Sequence, residues 1–408
     1  MHLVREVDVV IIGAGPAGTA AAITLARAGR SVEIIDKATF PRDKICGDGL
    51  TTGALRRLEA LGIEPSDVDS WMGVSDVWIR PPYGKEVKFS LPRDQGLFAA
   101  VATRRDLDAA LVDRARKEGV VIHEGATLES IVTHSPPGGV SVTAAGVGEI
   151  RARFAIAADG MWSPSRKLLG ANVEGYRGEW HAFRQYVGNV TGRAASDLVV
   201  FFEPDFLPGY FWSFPLPGNR ANIGFGIERG GSHAISDMKL LWTDILSRPH
   251  VRDLLGPDVE PIEPHRAWPI PCRTGELSAS VGPVLFVGDA VGVCDVMTGE
   301  GIGQALQTAM MAARHIDAGW ETPQAVGDLY GNELLTELGP DHTMSTLLVR
   351  AIRHRKGASI ALGVAASNDW SRRNFIRWLF EDYERGLALR PSLWHRGALS
   401  GVGAYVDR

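Results

Sequence analysis

The chain has 408 residues, 45% of them hydrophobic and 22% charged, with a formal net charge of −5. This indicates a globular protein of roughly two to three domains, with no nucleic acid as partner. Three cysteines without a paired spacing predict neither a disulfide framework nor a metal site, and they favour a cytoplasmic location. No apolar run reaches the ~18 residues of a membrane span, and a strand begins by Val7, so no signal peptide is expected.

The first predicted element is a strand–turn–helix–strand unit at residues 7–36. Its turn carries Gly13, Gly15 and Gly18 as G-x-G-x-x-G, and Asp36 ends the second strand. The first glycine permits a sharp turn, the second lets a pyrophosphate approach the backbone, and the third lets the helix pack close to the strand. The helix start attracts phosphate, and the acid suits a ribose. This context predicts a bound adenine dinucleotide.

The rest of the chain changes texture twice. Up to residue 160, the pattern predicts a loop at 39–49, a helix near Leu55, strands at 74–80 and 86–91 around a turn at Pro82–Gly84, a helix at 103–117, and strands at 120–123, 127–133, 140–144 and 149–157. Aromatic strand-like segments follow at 181–187, 198–202, 211–214 and 221–227, with a helix near 237–246. A buried strand at 283–287, a helix at 299–318 and further helices from 323 to about 386 complete the prediction.

Two later motifs address the same cofactor. Asp159-Gly160 and Gly288-Asp289 each follow a predicted strand, where open α/β sheets bind ligands. A glycine-rich turn at Gly299-Glu300-Gly301 then opens a helix, whose N-terminus would stabilise negative charge on a reduced flavin. Nicotinamide needs no such second helix, so the three sites together favour FAD over NAD. Only one dinucleotide pattern occurs, so an external electron donor is expected: NAD(P)H, ferredoxin or a flavin reductase.

The predicted fold class is α/β (α+β), with a Rossmann-like FAD-binding domain, an inserted antiparallel β-sheet substrate domain and a helical C-terminal region. The expected boundaries are 1–73, 95–171 and 275–325 for the FAD-binding domain, 74–94 and 172–274 for the substrate domain, and 326–408 for the helical region.

The order of the three motifs resembles the flavoproteins built on the p-hydroxybenzoate hydroxylase fold. By this resemblance, Arg104, which precedes Leu107-Asp108, reaches the pyrophosphate, and Asp289 holds the ribityl chain. The predicted FAD contacts are Gly13, Gly15, Pro16, Ala17, Gly18, Asp36, Lys37, Lys44, Cys46, Gly47, Arg104, Asp159, Gly160, Gly288, Asp289, Gly299, Gly301 and Ile302.

Two further segments carry distinctive motifs: residues 40–50 contain Pro-x-x-Lys-x-Cys-Gly, and residues 210–226 contain Tyr-x-Trp-x-Phe-Pro…Gly-x-Gly. Both are similar to segments of geranylgeranyl reductases, and the second matches that family's pattern at every fixed position. That family saturates carbon–carbon double bonds of isoprenoid chains on lipids, quinones or pigment precursors. The resemblance therefore implies hydride transfer from flavin N5 to such a chain.

The residue types at the predicted catalytic positions suit an apolar substrate. Strand alternation places Tyr210, Trp212 and Phe214 on one face, which would wall a pocket above the flavin, with Tyr210 supplying a hydroxyl. Cys46 is the first candidate for a flavin-facing group; a thiol with a pKa of ~8.5 is a weak acid, so relay or positioning is expected. The predicted catalytic residues are Cys46, Tyr210 and Trp212.

Departures from the family pattern keep other functions open. Asp295-Val296-Met297 stands where the family usually has Asn-Pro-Leu, and Gly292 stands where aromatic hydroxylases usually have His. No Trp-x-Trp-x-Ile-Pro halogenase signature occurs. An FAD-dependent monooxygenase therefore ranks second and a halogenase third, and a flavin electron carrier is the non-enzymatic alternative.

The C-terminal region is basic. From Asp341 onward it holds 11 Lys or Arg against 6 Asp or Glu, with aromatic residues near the basic clusters. Such helices can rest on an anionic lipid surface, although a solvated helical face has the same composition. Peripheral membrane contact is accordingly a prediction that this region carries.

Overall fold

A computed structural model describes residues 4–82, 85–134, 138–380, 383–395, 397 and 399–405. The predicted turn at Pro82–Gly84 includes Tyr83 and Gly84, which lie outside the described residues. None of the helices in the described part of the chain is both long enough and apolar enough to cross a bilayer.

The regular elements follow the predicted order. The strands are β1 (Arg5–Ile12), β2 (Val32–Asp36), β3 (Gly49–Leu50), β4 (Met72–Gly73), β5 (Asp76–Arg80), β6 (Val87–Ser90), β7 (Ala100–Val101), β8 (Val121–Glu124), β9 (Leu128–Thr133), β10 (Val140–Ala144), β11 (Gly148–Ala157), β12 (Trp180–Gly188), β13 (Leu198–Phe201), β14 (Phe211–Leu216), β15 (Arg220–Glu228), β16 (Glu260–Pro261), β17 (Arg266–Ile270), β18 (Ser280–Val281) and β19 (Val284–Phe286). The α-helices are α1 (Pro16–Arg27), α2 (Thr52–Ala60), α3 (Arg104–Lys117), α4 (Pro164–Leu168), α5 (Met238–Ser247), α6 (Pro249–Leu255), α7 (Ile302–Ala318), α8 (Pro323–Ile352), α9 (Arg355–Ala365) and α10 (Asp369–Leu379).

The first sheet is a Rossmann-like layer with strand order β18-β19-β11-β1-β2-β8. The pairs β11–β19, β1–β11, β1–β2 and β2–β8 are parallel, so their carboxyl ends share one edge. The chain leaves β1 toward β2 on one side, and β11 pairs on the other side. Ligands bind at the crevice that such a reversal of strand order creates.

The second sheet lies over this edge in the order β16-β12-β15-β14-β13-β5-β6, with β17 also paired to β12. Its pairs are antiparallel except for β13 with β5, which is parallel. Its strands come from the segments predicted as the substrate domain, 74–94 and 172–274. The division of the chain into separate domains stays a prediction.

Helices α9 and α10 pack against the second sheet. Leu362, Ala365 and Ile376 from these helices share one apolar cluster with Val77 and Phe89 of β5 and β6. The amphipathic C-terminal helices bury their apolar stripe there because that sheet face offers a matching apolar surface. The helical region thereby becomes a wall of the space between the two sheets.

Candidate flavin and substrate site

A cavity of about 680 Å³ lies where the two sheets and the C-terminal helices meet. Nearly all of the predicted site residues line it. These are Gly13, Gly15, Pro16, Ala17, Asp36, Lys37, Lys44, Cys46, Gly47, Arg104, Asp159, Gly160, Tyr210, Trp212, Gly288, Asp289, Gly299, Gly301 and Ile302. Gly18 is not among the lining residues.

The turn after β1 fits a pyrophosphate because its glycines serve different ends. Gly13 has a φ of +104°, and a Cβ there would lie 2.4 Å from the carbonyl oxygen of Ala158. A Cβ on Gly18 would lie 1.8 Å from the carbonyl oxygen of Gly13, so this glycine sets the packing of α1. A Cβ on Gly15 would meet nothing closer than 3.6 Å, which leaves open space in front of the helix.

Two arginines face that open space and share one buried carboxylate. Arg104 donates from Nε and Nη2 to the two oxygens of Asp108 at 2.7 and 2.8 Å, and Arg42 donates to the same group at 2.6 Å. A Cβ on Gly15 would lie 3.6 Å from Arg42 Nη2 and 3.8 Å from Arg104 Nη2. Asp108 thus orients two guanidinium groups toward the position predicted for the pyrophosphate, a geometry suited to phosphate.

Acids lie at the ends of the two strands that flank β1. Asp36 at the end of β2 accepts from the backbone N–H groups of Ala14 at 2.7 Å and Ala38 at 2.8 Å. Asp159 after β11 accepts from the Ser163 hydroxyl at 2.6 Å and the Ser165 N–H at 2.8 Å. These bonds fix the direction of each carboxylate, and each oxygen keeps a lone pair for a sugar hydroxyl.

Lys44 crosses from the polar loop to Asp289 after β19. Its Nζ lies 3.4 Å from the Asp289 carboxylate and 5.2 Å from the ring centroid of Trp268. The Cys294 thiol donates to the other oxygen of Asp289 at 3.3 Å. A Cβ on Gly301 would lie 2.8 Å from the sulfur of Cys294, so the glycine lets the loop before α7 close on this group.

The glycine-rich loop before α7 is held by Asp295. One oxygen of this buried carboxylate accepts from the N–H groups of Met297 at 3.0 Å and Thr298 at 2.7 Å. The other accepts from the Ser345 hydroxyl at 2.7 Å and is paired with Arg385. Burial opposes ionisation, but the charge of Arg385 and these hydrogen bonds lower the pKa of Asp295. The departure from the family's Asn-Pro-Leu therefore supplies an anion that ties the loop to the C-terminal region.

Tyr210, Trp212 and Phe214 form one continuous aromatic wall of the cavity. The ring centroids are 6.1 Å apart for the first pair and 6.2 Å apart for the second. Trp212 lies opposite Gly224 in the β14–β15 register, where a Cβ would come within 2.2 Å of the indole ring. The first glycine of the Gly-x-Gly pattern therefore lets the indole lie against β15. The Tyr210 hydroxyl donates to the carbonyl of Thr298.

Cys46 lies beside a polar network that sequence reasoning missed. Asn222 donates to the carbonyl of Cys46 at 2.9 Å and to the carboxylate of Asp48 at 2.8 Å, and its own carbonyl accepts from Trp212 Nε1 at 3.1 Å. The Tyr186 hydroxyl donates to the same oxygen of Asp48 at 2.6 Å. Burial raises the pKa of the Cys46 thiol, which makes it a weaker acid than a free thiol.

Asp48 has an unusual conformation and charge. Its side chain is fully buried, its φ is +65°, and burial raises its pKa to about 6 against the opposing effects of Tyr186 and Arg184. The sequence does contain a signal for it: an aspartate between two glycines at 47–49 indicates a turn in which a left-handed conformation is tolerated. Arg42, Asp108 and Asn222 carry no such local signal, because their partners are distant in sequence.

Comparisons with known proteins show which proteins this chain is similar to. A family model described as an FAD binding domain matches residues 6–322. A menaquinone reductase of Mycobacterium tuberculosis is 33% identical over 355 residues, which cover 81% of this chain and 82% of that protein. Digeranylgeranylglycerophospholipid reductase 2 of Methanopyrus kandleri is 33% identical over 314 residues, covering 75% and 76%.

A crystal structure of a geranylgeranyl bacteriochlorophyll reductase-like protein from Thermoplasma acidophilum has the same fold. It superimposes with a TM-score of 0.79 at 18% identity and covers 96% of this chain and 100% of that chain.

Substitutions of Gly15 and Gly18 separate cofactor binding from folding. Gly15→Ala should leave the melting temperature of flavin-free protein unchanged, because its methyl would make only ordinary van der Waals contacts, no closer than 3.6 Å. It should weaken FAD binding tenfold or more (about 1.4 kcal/mol), because the methyl would occupy space predicted for the pyrophosphate. Gly18→Ala should instead destabilise the flavin-free protein by about 1–3 kcal/mol or more through overpacking. Flavin titration and thermal melting measure the two effects; equal losses of stability in both variants would contradict this division.

The raised pKa of Asp48 predicts a pH dependence of stability. Between its ordinary pKa of 3.8 and about 6, the folded protein holds a proton on Asp48 that the unfolded chain releases. This group's contribution therefore falls as pH rises through that window, by roughly 3 kcal/mol. Urea unfolding of wild type should accordingly lose more stability between pH 4 and pH 7 than Asp48→Asn does. Asp197→Asn, which removes an acid that accepts from the Trp78 indole at 2.9 Å, is the control; a wild-type pH dependence retained in Asp48→Asn would refute the assignment.

Proposed function

Because this chain belongs to the geranylgeranyl reductase family of FAD-dependent oxidoreductases, we propose that it saturates carbon–carbon double bonds of an isoprenoid chain carried by a lipid, a quinone or a pigment precursor. The protein binds FAD. The names of the menaquinone and digeranylgeranylglycerophospholipid reductases support isoprenoid reduction, and a polyprenyl quinone or diprenyl lipid is the first substrate to test.

One observation carries the proposal: a single cavity extends from the glycine turn after β1 to an apolar space. Beyond the aromatic wall, its lining continues over Leu198 and Val200 of the second sheet and over Leu348, Ile352, Ala361 and Leu362 of the C-terminal helices. An extended hydrocarbon gains roughly 25 cal/mol per Å² of surface removed from water. Such a lining therefore suits an isoprenoid chain better than a small polar substrate.

The roles of the chain's own residues follow from their positions. Bound reduced FAD supplies a hydride from N5, and saturation of the alkene also needs one proton. Trp212 and Phe214 would hold the chain by apolar and aromatic contact, and Tyr210 would keep the loop at Thr298 in place through its hydroxyl. Cys46 lines the cavity on the polar side, but its raised pKa favours positioning or relay of the proton over outright donation. Electrons would come from an external donor: NAD(P)H, ferredoxin or a flavin reductase.

Anaerobic incubation of the reduced holoprotein with menaquinone, and separately with digeranylgeranylglycerophospholipid, tests the proposal. After the quinone ring has been reoxidised in air, mass spectrometry should find a gain of two hydrogen atoms for each carbon–carbon double bond reduced. A gain of one oxygen atom under air would support a monooxygenase instead, and flavin turnover without any change in either lipid would support an electron carrier.

A cavity-filling variant links this activity to the apolar space. Ala361→Phe places a ring into the lining on α9, so turnover of the polyprenyl substrate should fall on the order of tenfold while FAD content is retained. Ala351→Phe on the exposed surface of α8 is the matched control and should leave turnover within twofold of wild type. Equal activity of both variants would show that the chain does not occupy this part of the cavity.

We further propose that the outer surface of α9 and α10 docks on a membrane, from which the protein takes its substrate. Residues 355–379, which include α9 and α10, contain five Lys or Arg and one Asp or Glu. Ile360, Val364 and Trp370 are each about two-thirds exposed on these helices, whereas the inner faces of the same helices line the cavity. An apolar surface beside an excess of positive charge suits an anionic lipid bilayer.

Flotation with vesicles of phosphatidylglycerol and phosphatidylcholine tests this surface. The double variant Lys356→Glu/Ile360→Ser should bind at least about tenfold more weakly than wild type, because each basic residue near such a surface contributes about 1 kcal/mol. Lys239→Glu/Leu240→Ser makes equivalent changes at two exposed positions of helix α5 and should bind like wild type. Absence of wild-type flotation, or equal loss in both variants, would reject this surface.

A further inference from the structure

A buried polar clasp joins the loop of Cys46 to the aromatic wall. It consists of Asp48, Tyr186, Asn222 and Trp212, connected by hydrogen bonds of 2.6 to 3.1 Å. Asn222 is completely buried, and the two N–H groups of its amide and its carbonyl all have partners. Rotation of this amide would break three hydrogen bonds, so its orientation is determined by its neighbours.

The Asp48 carboxylate accepts three hydrogen bonds. Oδ2 accepts from the Tyr186 hydroxyl and the Asn222 amide, and Oδ1 accepts from the backbone N–H of Arg104 at 3.3 Å. A carboxylate is an acceptor only, whereas a carboxylic acid adds a hydrogen. A proton on Oδ2 must therefore displace a donor or turn the Tyr186 hydroxyl round. A proton on Oδ1 would take the lone pair left there beside the Arg104 N–H, and it would weaken the bonds that Oδ2 accepts, because a carbonyl oxygen is a weaker acceptor than an ionised carboxylate oxygen. The network is complete when Asp48 is ionised.

The clasp also reaches the cofactor side of the cavity. The Asp48 carbonyl accepts from the Ala102 N–H at 3.0 Å, and its side chain accepts from the backbone of Arg104, whose guanidinium faces the position above Gly15. On the other side, Gly47 and Gly49 pass close to the wall: a Cβ on Gly49 would lie 3.0 Å from the Phe214 ring. Asp48 thus lies between the part of the cavity predicted to hold FAD and the aromatic wall.

We propose that Asp48 is a positioning residue for the reductase reaction, which through Asn222 fixes the Trp212 indole and the Cys46 backbone and does so only as a carboxylate. The proposal rests on the proposed function for its kinetic consequence but not for the clasp itself. Asp48 borders the cavity, but it is completely buried and its carboxylate oxygens are engaged by Tyr186, Asn222 and Arg104, so it acts through its neighbours rather than on the substrate.

The charged and titratable groups around Asp48 set the sense of its pH dependence. Burial raises its pKa, and Tyr186, Arg184 and Arg104 oppose that rise. Cys46 is the other titratable neighbour, and its thiol stays protonated because burial raises its pKa too. The carboxylate therefore becomes protonated as pH falls through about 6. The clasp should loosen in that range, and activity should fall with it.

The NMR resonance of the Trp212 indole reports on the hydrogen bonds of the clasp without any substrate. In ¹⁵N-tryptophan-labelled holoprotein, the Trp212 indole resonance, assigned by Trp212→Phe, should shift with a midpoint near pH 6. Asp48→Asn should abolish that shift, since asparagine keeps the side-chain shape, tolerates the left-handed conformation and has no proton to gain. Tyr186→Phe removes a hydrogen bond that lowers the pKa of Asp48, so the midpoint should move to higher pH. A merely structural residue would not produce these displacements.

Kinetics then connects the clasp to the reaction. With the polyprenyl substrate, wild-type kcat should show an acid limb near pH 6, and Tyr186→Phe should move this limb upward in pH. Asp48→Asn should lose about 10- to 100-fold in kcat at pH 7.5 with a smaller change in KM, as expected for misplaced reacting groups. Asp197→Asn, which removes an Asp–Trp hydrogen bond of the same sheet outside the cavity lining, should keep the wild-type profile.

The outcomes separate this inference from the proposed function. A titrating Trp212 resonance in a protein that reduces no prenyl substrate would support the clasp and reject the function. Prenyl reduction with a pH-independent Trp212 resonance, or with Asp48→Asn within twofold of wild type, would overturn the clasp. If Asp48→Asn fails to fold or to retain FAD, the Tyr186→Phe midpoint decides: a midpoint equal to wild type overturns the proposal.

Discussion

The close approach of α1 to β1 is the constraint on which the cofactor cradle depends. A Cβ at position 18 would lie only 1.8 Å from the Gly13 carbonyl oxygen. The start of the helix can therefore lie this close to the end of the strand only because residue 18 is a glycine. Four parallel strand pairs in register then bring the turns after β1, β2, β11 and β19 to a single edge. The cradle is therefore a property of the packed sheet, and each loop contributes to it only because the others are in place.

The two sheets meet at the short segment around Cys46, and hydrogen bonds attach this segment to the second sheet and to α3. Asn222 and Tyr186 on the second sheet both donate to Asp48, which also accepts from the backbone at the start of α3. Burying this carboxylate costs stability, as its raised pKa indicates. This buried acid therefore costs stability at neutral pH, while its hydrogen bonds join the segment of Cys46 to the second sheet.

The parts of the site that sequence reasoning anticipates depend on local chemistry. Glycines at 13, 15 and 18 act within one turn, and strand alternation alone places Tyr210 and Trp212 on a common face. The residues that it missed act across the fold: Arg42 meets Asp108 66 positions later, and Asn222 meets Asp48 across 174. No periodicity or spacing encodes such pairs, because they arise only when the second sheet closes over the first. The parallel pairing of β13 with β5 has the same origin, since it joins strands from two separate segments.

The replacement of the family's Asn-Pro-Leu by Asp295-Val296-Met297 illustrates how rigidity can be supplied by another route. A proline restricts the backbone of a loop directly. Here Asp295 restrains the loop through hydrogen bonds to Met297 and Thr298, while its second oxygen meets Ser345 and Arg385. Breaking a buried ion pair leaves an uncompensated charge, so the loop before α7 and the C-terminal region are held together strongly. The same region also lines the apolar cavity. A bound hydrocarbon chain that displaced its helices would therefore also shift the glycine-rich loop. The position of this loop therefore depends on the C-terminal region that lines the apolar cavity.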